Sequence, residues 1–217
     1  MTVTPLRYEV VEGVAIRTLD RPQAGNTINL ELSHALEAAA LRCNEDAAVR
    51  CVLLKGTGRL FCAGGDIGSF STDPTKAASV LADLASAFHI AISSLARMRK
   101  PLVTLIQGPA AGAGFSLAMI GDIVLAAHSA HFTAAYGAIG LTPDGGMTWL
   151  LPRLVGMRKA QDIILRNRRI TAVEAESLGL VTCVVHDADL EGEGQQVARE
   201  LVRSPTGALS ATRALLL

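Results

Sequence analysis

Two short runs, Val52-Leu53-Leu54 and Leu102-Val103-Thr104-Leu105-Ile106, are almost wholly apolar, and glycine-rich turns follow them. A strand with one wet face alternates apolar and polar side chains. A strand without that alternation suits a sheet covered on both faces. The run DIVLAA from Asp122 is of the same kind. Between these runs, residues 30–43 and 76–98 carry apolar side chains at helical spacing. Asn29 stands at the N-cap position of the first helix, and the Lys100-Pro101 step stops the second. Buried strands alternating with helices predict an α/β architecture.

The ends fit the same reading. Residues 8–11 and 14–19 flank Gly13 as a hairpin. Thr171 and Glu174 form a capping box for a helix that ends before Gly179, and the strand GLVTCVV follows at once. Residues 195–203 and 206–217 read as helices. At 217 residues, half of them hydrophobic, the chain can bury one sizeable core. Its 20 Lys and Arg balance 20 Asp and Glu, which argues against nucleic acid or an electrostatically held membrane as partner and permits self-association. Cys43, Cys51, Cys62 and Cys183 form no C-x-x-C pair and read as reduced thiols of a cytoplasmic protein. The opening MTVTPLRYEV lacks the apolar stretch of a secretory signal, and polar and glycine residues interrupt 102–127 too often for a membrane span.

The chemistry concentrates in two turns between strand and helix. One is Cys62-Ala63-Gly64-Gly65-Asp66; the other runs from Gly108 through Gly112 and Ala113 to Gly114. Glycine lets a backbone approach a ligand closely, and a helix start points free N–H groups outward. Two such turns could hold one oxyanion between two N–H donors, or they could be tight structural turns and nothing more. Neither is a Walker A loop or a G-x-G-x-x-G fingerprint, and no G-x-S-x-G elbow occurs. His128-x-x-His131 is half a metal site without further ligands, so no metal is expected, and a loop after a strand explains both histidines. By spacing alone, Pro143-Asp144 suits the N-cap of a helix that includes residues 148–154. Asp66 and Asp122 flank turns as structural residues, and Arg153 suits anchoring of the loop beside it.

Ordered segments then bring a resemblance. LDRPQAGNTIN, RLFCAGGDI, RKPLVTLIQGPAAGAG, GDIVLAA, IGLTPDGG and ITAVEAESLGLV together resemble the enoyl-CoA hydratase/isomerase, or crotonase, family along nearly the whole chain. The resemblance implies the crotonase fold, a spiral of stacked ββα units assembled as a homotrimer or hexamer. It implies a core domain over 1–203, with 204–217 beginning a C-terminal helical trimerisation segment that is cut short. It also implies an acyl-CoA thioester as substrate and no cofactor beyond the coenzyme A that the substrate carries.

Carried over residue by residue, the resemblance makes the N–H groups of Gly65 and Ala113 the oxyanion donors. Ala63, Gly64, Asp66 and Ile67 would line coenzyme A on one side of the cleft and Ala24, Gly25 and Asn26 on the other, with Gly112 and Tyr136 also at the substrate. Hydratases of the family place two glutamates where this chain has Ser116 and Tyr136. Asp144 instead matches the aspartate of ring-epoxide phenylacetyl-CoA isomerases and related enoyl-CoA isomerases, whose pattern recurs over 141–153 except at Met147. As a base it would need a pKa raised from about 3.9, which apolar burial supplies. Chlorobenzoyl-CoA dehalogenases place a nucleophilic aspartate there too, normally with a tryptophan near the Tyr136 position. The implied activity is therefore enoyl-CoA isomerisation, with hydration, dehalogenase-type hydrolysis and a non-catalytic homologue as alternatives. His89 packs on its helix, toward the same region.

Overall fold

The computed structural model describes residues 4–69 and 74–216. Strands β1 (Leu6–Val11) and β2 (Val14–Leu19) form the antiparallel hairpin expected around Gly13. Helix α1 (Leu30–Glu45) starts at Asn29, whose side chain accepts from the Leu32 N–H at 2.9 Å. Then follow β3 (Cys51–Gly56), α2 (Pro74–Ala96), β4 (Leu102–Ile106), the two-residue β5 (Ala110–Ala111), α3 (Ala113–Met119) and β6 (Ile123–Ala127). The second half holds β7 (His131–Thr133), α4 (Met147–Val155), α5 (Met157–Leu165), β8 (Arg169–Thr171) and α6 (Ala172–Ser177). It closes with β9 (Cys183–Val185), α7 (Leu190–Arg203) and α8 (Thr206–Leu216).

Six strands form the main sheet in the order β1-β2-β3-β4-β6-β9, and every pairing after the hairpin is parallel. All five residues of β4 and the first four of β3 are buried, as their almost wholly apolar runs require. Helix α7 packs along β3 and β4, while α1 and α2 pack on each other. Helix α2 is long and apolar enough over Thr75–Ala96 to cross a bilayer. Here its Leu84, Phe88, Ala91, Ile92 and Leu95 are buried in the core. The four cysteines are free thiols, three of them buried.

Three expectations change. The strand expected over GLVTCVV shrinks to Cys183–Val185, because Gly179 and Leu180 donate instead to the Glu176 and Ala175 carbonyls that end α6. Helix α7 begins at Leu190, ahead of residue 195: Glu191 and Glu193 favour its first turn, and Gly192 and Gly194 had interrupted the apolar pattern. His131 opens β7, where it pairs with Thr171 in a second sheet, β5-β7-β8. The fold also places α8 on the core. The buried Arg213 donates from Nε to both carboxylate oxygens of Asp122, at 2.7 and 2.6 Å, and from Nη2 to Leu95 O at 3.0 Å. Asp122 accepts the Leu102 N–H as well, at 2.7 Å, which is the structural role expected of it. Leu217, the last residue of the expected terminal helix, lies outside the described residues.

Candidate active site

The first glycine turn is built by a parallel bridge between Ile28 and Gly65. Ile28 N–H donates to Gly64 O and Asp66 N–H donates to Ile28 O, both at 2.8 Å. In parallel pairing the residue between these two bonds turns its own N–H the other way. Gly65 N–H is thereby directed away from Ile28, and Gly65 lines a cavity. Gly64 makes the turn at φ +110°, a conformation that L side chains rarely adopt.

The second turn is tied to the first by the Ala111 N–H, which donates to Cys62 O at 3.0 Å. Gly112 donates to Thr133 O at 3.0 Å and stands as the N-cap of α3 at φ +51°. Ala113 is the first residue of α3, so its N–H has no carbonyl one turn back within the helix. Ala113 lines the same cavity as Gly65. The turns nearly touch, since a Cβ at Gly64 would lie 3.0 Å from Ala111 O and 3.9 Å from Ala113 N.

A third loop braces them. Asn26, fully buried at φ +54°, accepts the Arg21 N–H and donates to Thr57 O and Leu60 O, each at 2.9 Å. Ala63 N–H donates to Gly25 O at 2.9 Å. Arg21 adds an ion pair to Asp66 at 2.9 Å and a bond to Thr27 O. The Asn26 side chain is therefore committed to the scaffold, and Asp66 to an ion pair. Ala24 is exposed beside them.

The cavity, about 120 Å³, is walled by apolar side chains such as Leu84, Phe88 and Leu141. Asp144 enters its lining as a half-buried carboxylate. The Tyr136 hydroxyl donates to Asp144 Oδ1 at 2.6 Å. Ser116, fully buried, donates to the Asp144 main-chain carbonyl at 3.0 Å and lies 3.3 Å from the Tyr136 hydroxyl. Burial pushes the Asp144 carboxyl above its ordinary range, while the Tyr136 hydrogen bond and the nearby His89 pull it back in part. Burial and the Asp144 charge push the Tyr136 phenol far up, so it stays protonated as a donor.

Of the residues singled out in the sequence, Ala63, Gly64, Gly65, Ile67, Gly112, Ala113, Tyr136 and Asp144 line this one cavity. Ala24, Gly25, Asn26 and Asp66 belong to the bracing loop and turn beside it. Asp144 is not a side-chain cap. The N-cap of α4 is Gly146, without a side-chain bond, because the Asp144 carboxylate is turned toward Tyr136. Met147, the departure from the isomerase pattern, is fully buried at the start of α4. Arg153 donates to Trp149 O, one turn back in its own helix, and stacks on the Trp149 ring, so it anchors helix rather than loop. The Arg21 latch and the apolar wall of α2 were not foreseen. Leu81, Leu84, Ala85 and Phe88 form a visible i, i+3, i+4, i+7 stripe, and Arg21 sits within the segment LDRPQAGNTIN.

Comparison with known proteins identifies the family. The sequence profile described as enoyl-CoA hydratase/isomerase matches residues 9–216. A probable enoyl-CoA hydratase of Rhodobacter capsulatus is 38% identical over 213 residues, 98% of this chain and 81% of the relative. The 1,2-epoxyphenylacetyl-CoA isomerase of Escherichia coli is 40% identical over 198 residues, 91% and 76% of the two chains. A 4-chlorobenzoyl coenzyme A dehalogenase of an Arthrobacter species is 33% identical over 202 residues, 93% and 73%. A solved structure from Pseudomonas aeruginosa superposes with a TM-score of 0.93 at 35% identity, covering all of this chain and 92% of the other. With the crotonase fold and the family match together, the chain belongs to the enoyl-CoA hydratase/isomerase family.

Proposed function

We propose that this enzyme is an enoyl-CoA isomerase that moves a double bond through a thioester enolate, with Asp144 as its single acid/base. The observation that carries the proposal is the half-buried Asp144 carboxylate on the wall of the cavity that Gly65 and Ala113 also line. The thioester carbonyl oxygen accepts from the Gly65 and Ala113 N–H groups. Each such donor contributes about 3–4 kcal/mol once negative charge develops on that oxygen. Asp144 takes a proton from the α carbon of a β,γ-enoyl-CoA. The C–H electron pair enters the conjugated enolate, and the carboxyl returns the proton at the γ carbon. The double bond shifts to the α,β position and no electrons are gained or lost, so no cofactor takes part beyond the coenzyme A of the substrate.

The environment of Ser116 supports isomerisation over two-carboxylate hydration. Its hydroxyl donates to the Asp144 main-chain carbonyl, and it does not line the cavity. Neither Ser116 nor Tyr136 is a carboxylate that could activate water. The test is Asp144→Asn assayed with 3-hexenoyl-CoA for conjugated product. Loss of roughly 10²–10⁴ in kcat is expected for removal of a general base. Unchanged turnover would reject Asp144 as the base. A 3-hydroxyacyl product formed from a conjugated enoyl-CoA at comparable rate would favour hydration instead.

A further inference from the structure

We infer that Tyr136 is a positioning residue that reserves one oxygen of Asp144, so that the other oxygen alone takes up and returns the migrating proton. The inference rests on the acid/base reading of Asp144 given above.

Two hydroxyl hydrogens serve this group. Ser116 has one hydroxyl proton, and its shorter contact is the 3.0 Å bond to the Asp144 main-chain carbonyl. Tyr136 has one, and its shorter contact is the 2.6 Å bond to Asp144 Oδ1. Ser116 is 0% exposed and Tyr136 is 7% exposed, so water does not compete readily for either bond. Asp144 is thus held at its main-chain carbonyl and at Oδ1, and its own N–H also bonds to the carboxylate, which together fix how the carboxylate is turned. A proton placed on Oδ1 would oppose the hydrogen that Tyr136 already points there. The proton taken from substrate therefore resides on Oδ2.

The consequence is a proton that stays with the enzyme. The α C–H bond breaks as Oδ2–H forms, and its electron pair enters the enolate. Oδ2–H then breaks as the γ C–H bond forms. A carboxyl that cannot turn away from the substrate offers the bound proton little chance to exchange with water between the two steps. The positions that hold glutamates in hydratases would here support a single carboxylate in place of a second one.

The test runs 3-hexenoyl-CoA isomerisation in deuterated water and counts deuterium in the product by mass spectrometry. The wild type is expected to incorporate well under one deuterium per turnover. Tyr136→Phe is expected to approach one, with kcat falling roughly tenfold or more for loss of a bond to a charged group and KM little changed. The acid limb of its kcat/KM profile should move to higher pH, because a carboxylate that loses a donor is harder to ionise. Tyr136→3-fluorotyrosine keeps the shape of the side chain and is a stronger donor, so its limb should move to lower pH. Full deuterium incorporation by the wild type overturns the inference, and so do wild-type retention in Tyr136→Phe and an unshifted pH profile in both variants. Normal turnover by Asp144→Asn would strike the acid/base reading instead.

Discussion

Gly114 packs so closely on Cys62 that a Cβ at Gly114 would stand 2.3 Å from the Cys62 carbonyl oxygen and 2.7 Å from the Cys62 Cβ. The two turns that carry Gly65 and Ala113 are therefore held together by backbone contact, and neither has room to yield. Gly114→Ala is expected to cost roughly 2–3 kcal/mol by overpacking and to lower Tm by about 5–10 °C. Gly192→Ala in α7 is the control, since no atom lies within 4 Å of a Cβ there. It should be neutral or stabilise by about 0.4–1 kcal/mol. Thermal melts of both variants check the pair, and a Gly114→Ala protein as stable as wild type would contradict the packing argument.

Asp144 must be ionised to accept a proton, and burial raises its pKa. Activity should therefore rise with pH along a limb whose midpoint lies above the ordinary aspartate value of about 3.9. The profile of kcat/KM against pH reads this limb in the free enzyme. A midpoint at or below the ordinary value would show that the site does not hold the carboxyl as described.

The same shift has a stability consequence of opposite sign. Between the unfolded pKa and the raised folded pKa the native state binds more protons, so stability falls as pH rises through that window. Below the unfolded pKa the carboxyl is neutral in both states and the penalty vanishes. Asp144→Asn should then melt at a higher temperature than wild type at pH 7 and nearly with it at pH 3, once both proteins are corrected for general acid destabilisation. A variant less stable than wild type at pH 7 would reverse this account.

Asn26 holds the bracing loop at positive φ with its amide bonded on both sides. Asn26→Asp keeps the acceptor for Arg21 N–H but sets a carboxylate oxygen against the carbonyls of Thr57, Leu60 and Phe61, the last also an acceptor of the Asn26 amide at 3.1 Å. Gln107 Nε2 also donates to Leu60 O, so Thr57 O and Phe61 O are the carbonyls orphaned, and at about 1–3 kcal/mol each a loss of at least about 2 kcal/mol is expected in denaturant unfolding. A loss under about 1 kcal/mol would mean that the amide does not bear the load assigned to it.

Elements whose signals are local can be read from the chain alone. The almost wholly apolar runs at Val52 and Leu102 specified strands covered on both faces, Asn29 and Thr171 specified helix starts, and Gly13 specified the hairpin. The quoted segments pointed to Gly65, Ala113 and Asp144. Which residues meet across the fold is a matter of long-range packing. The sheet β5-β7-β8 escaped notice because strands of two or three residues carry no period. In the sequence Ser116 and Tyr136 mark the places of two absent glutamates, and Asp144 suits a helix cap. They form one hydrogen-bonded group because α3, the segment after β7 and the entry to α4 converge on one cavity. Hydrogen bonds between residues 8 to 28 positions apart depend on that convergence, and no local pattern encodes it.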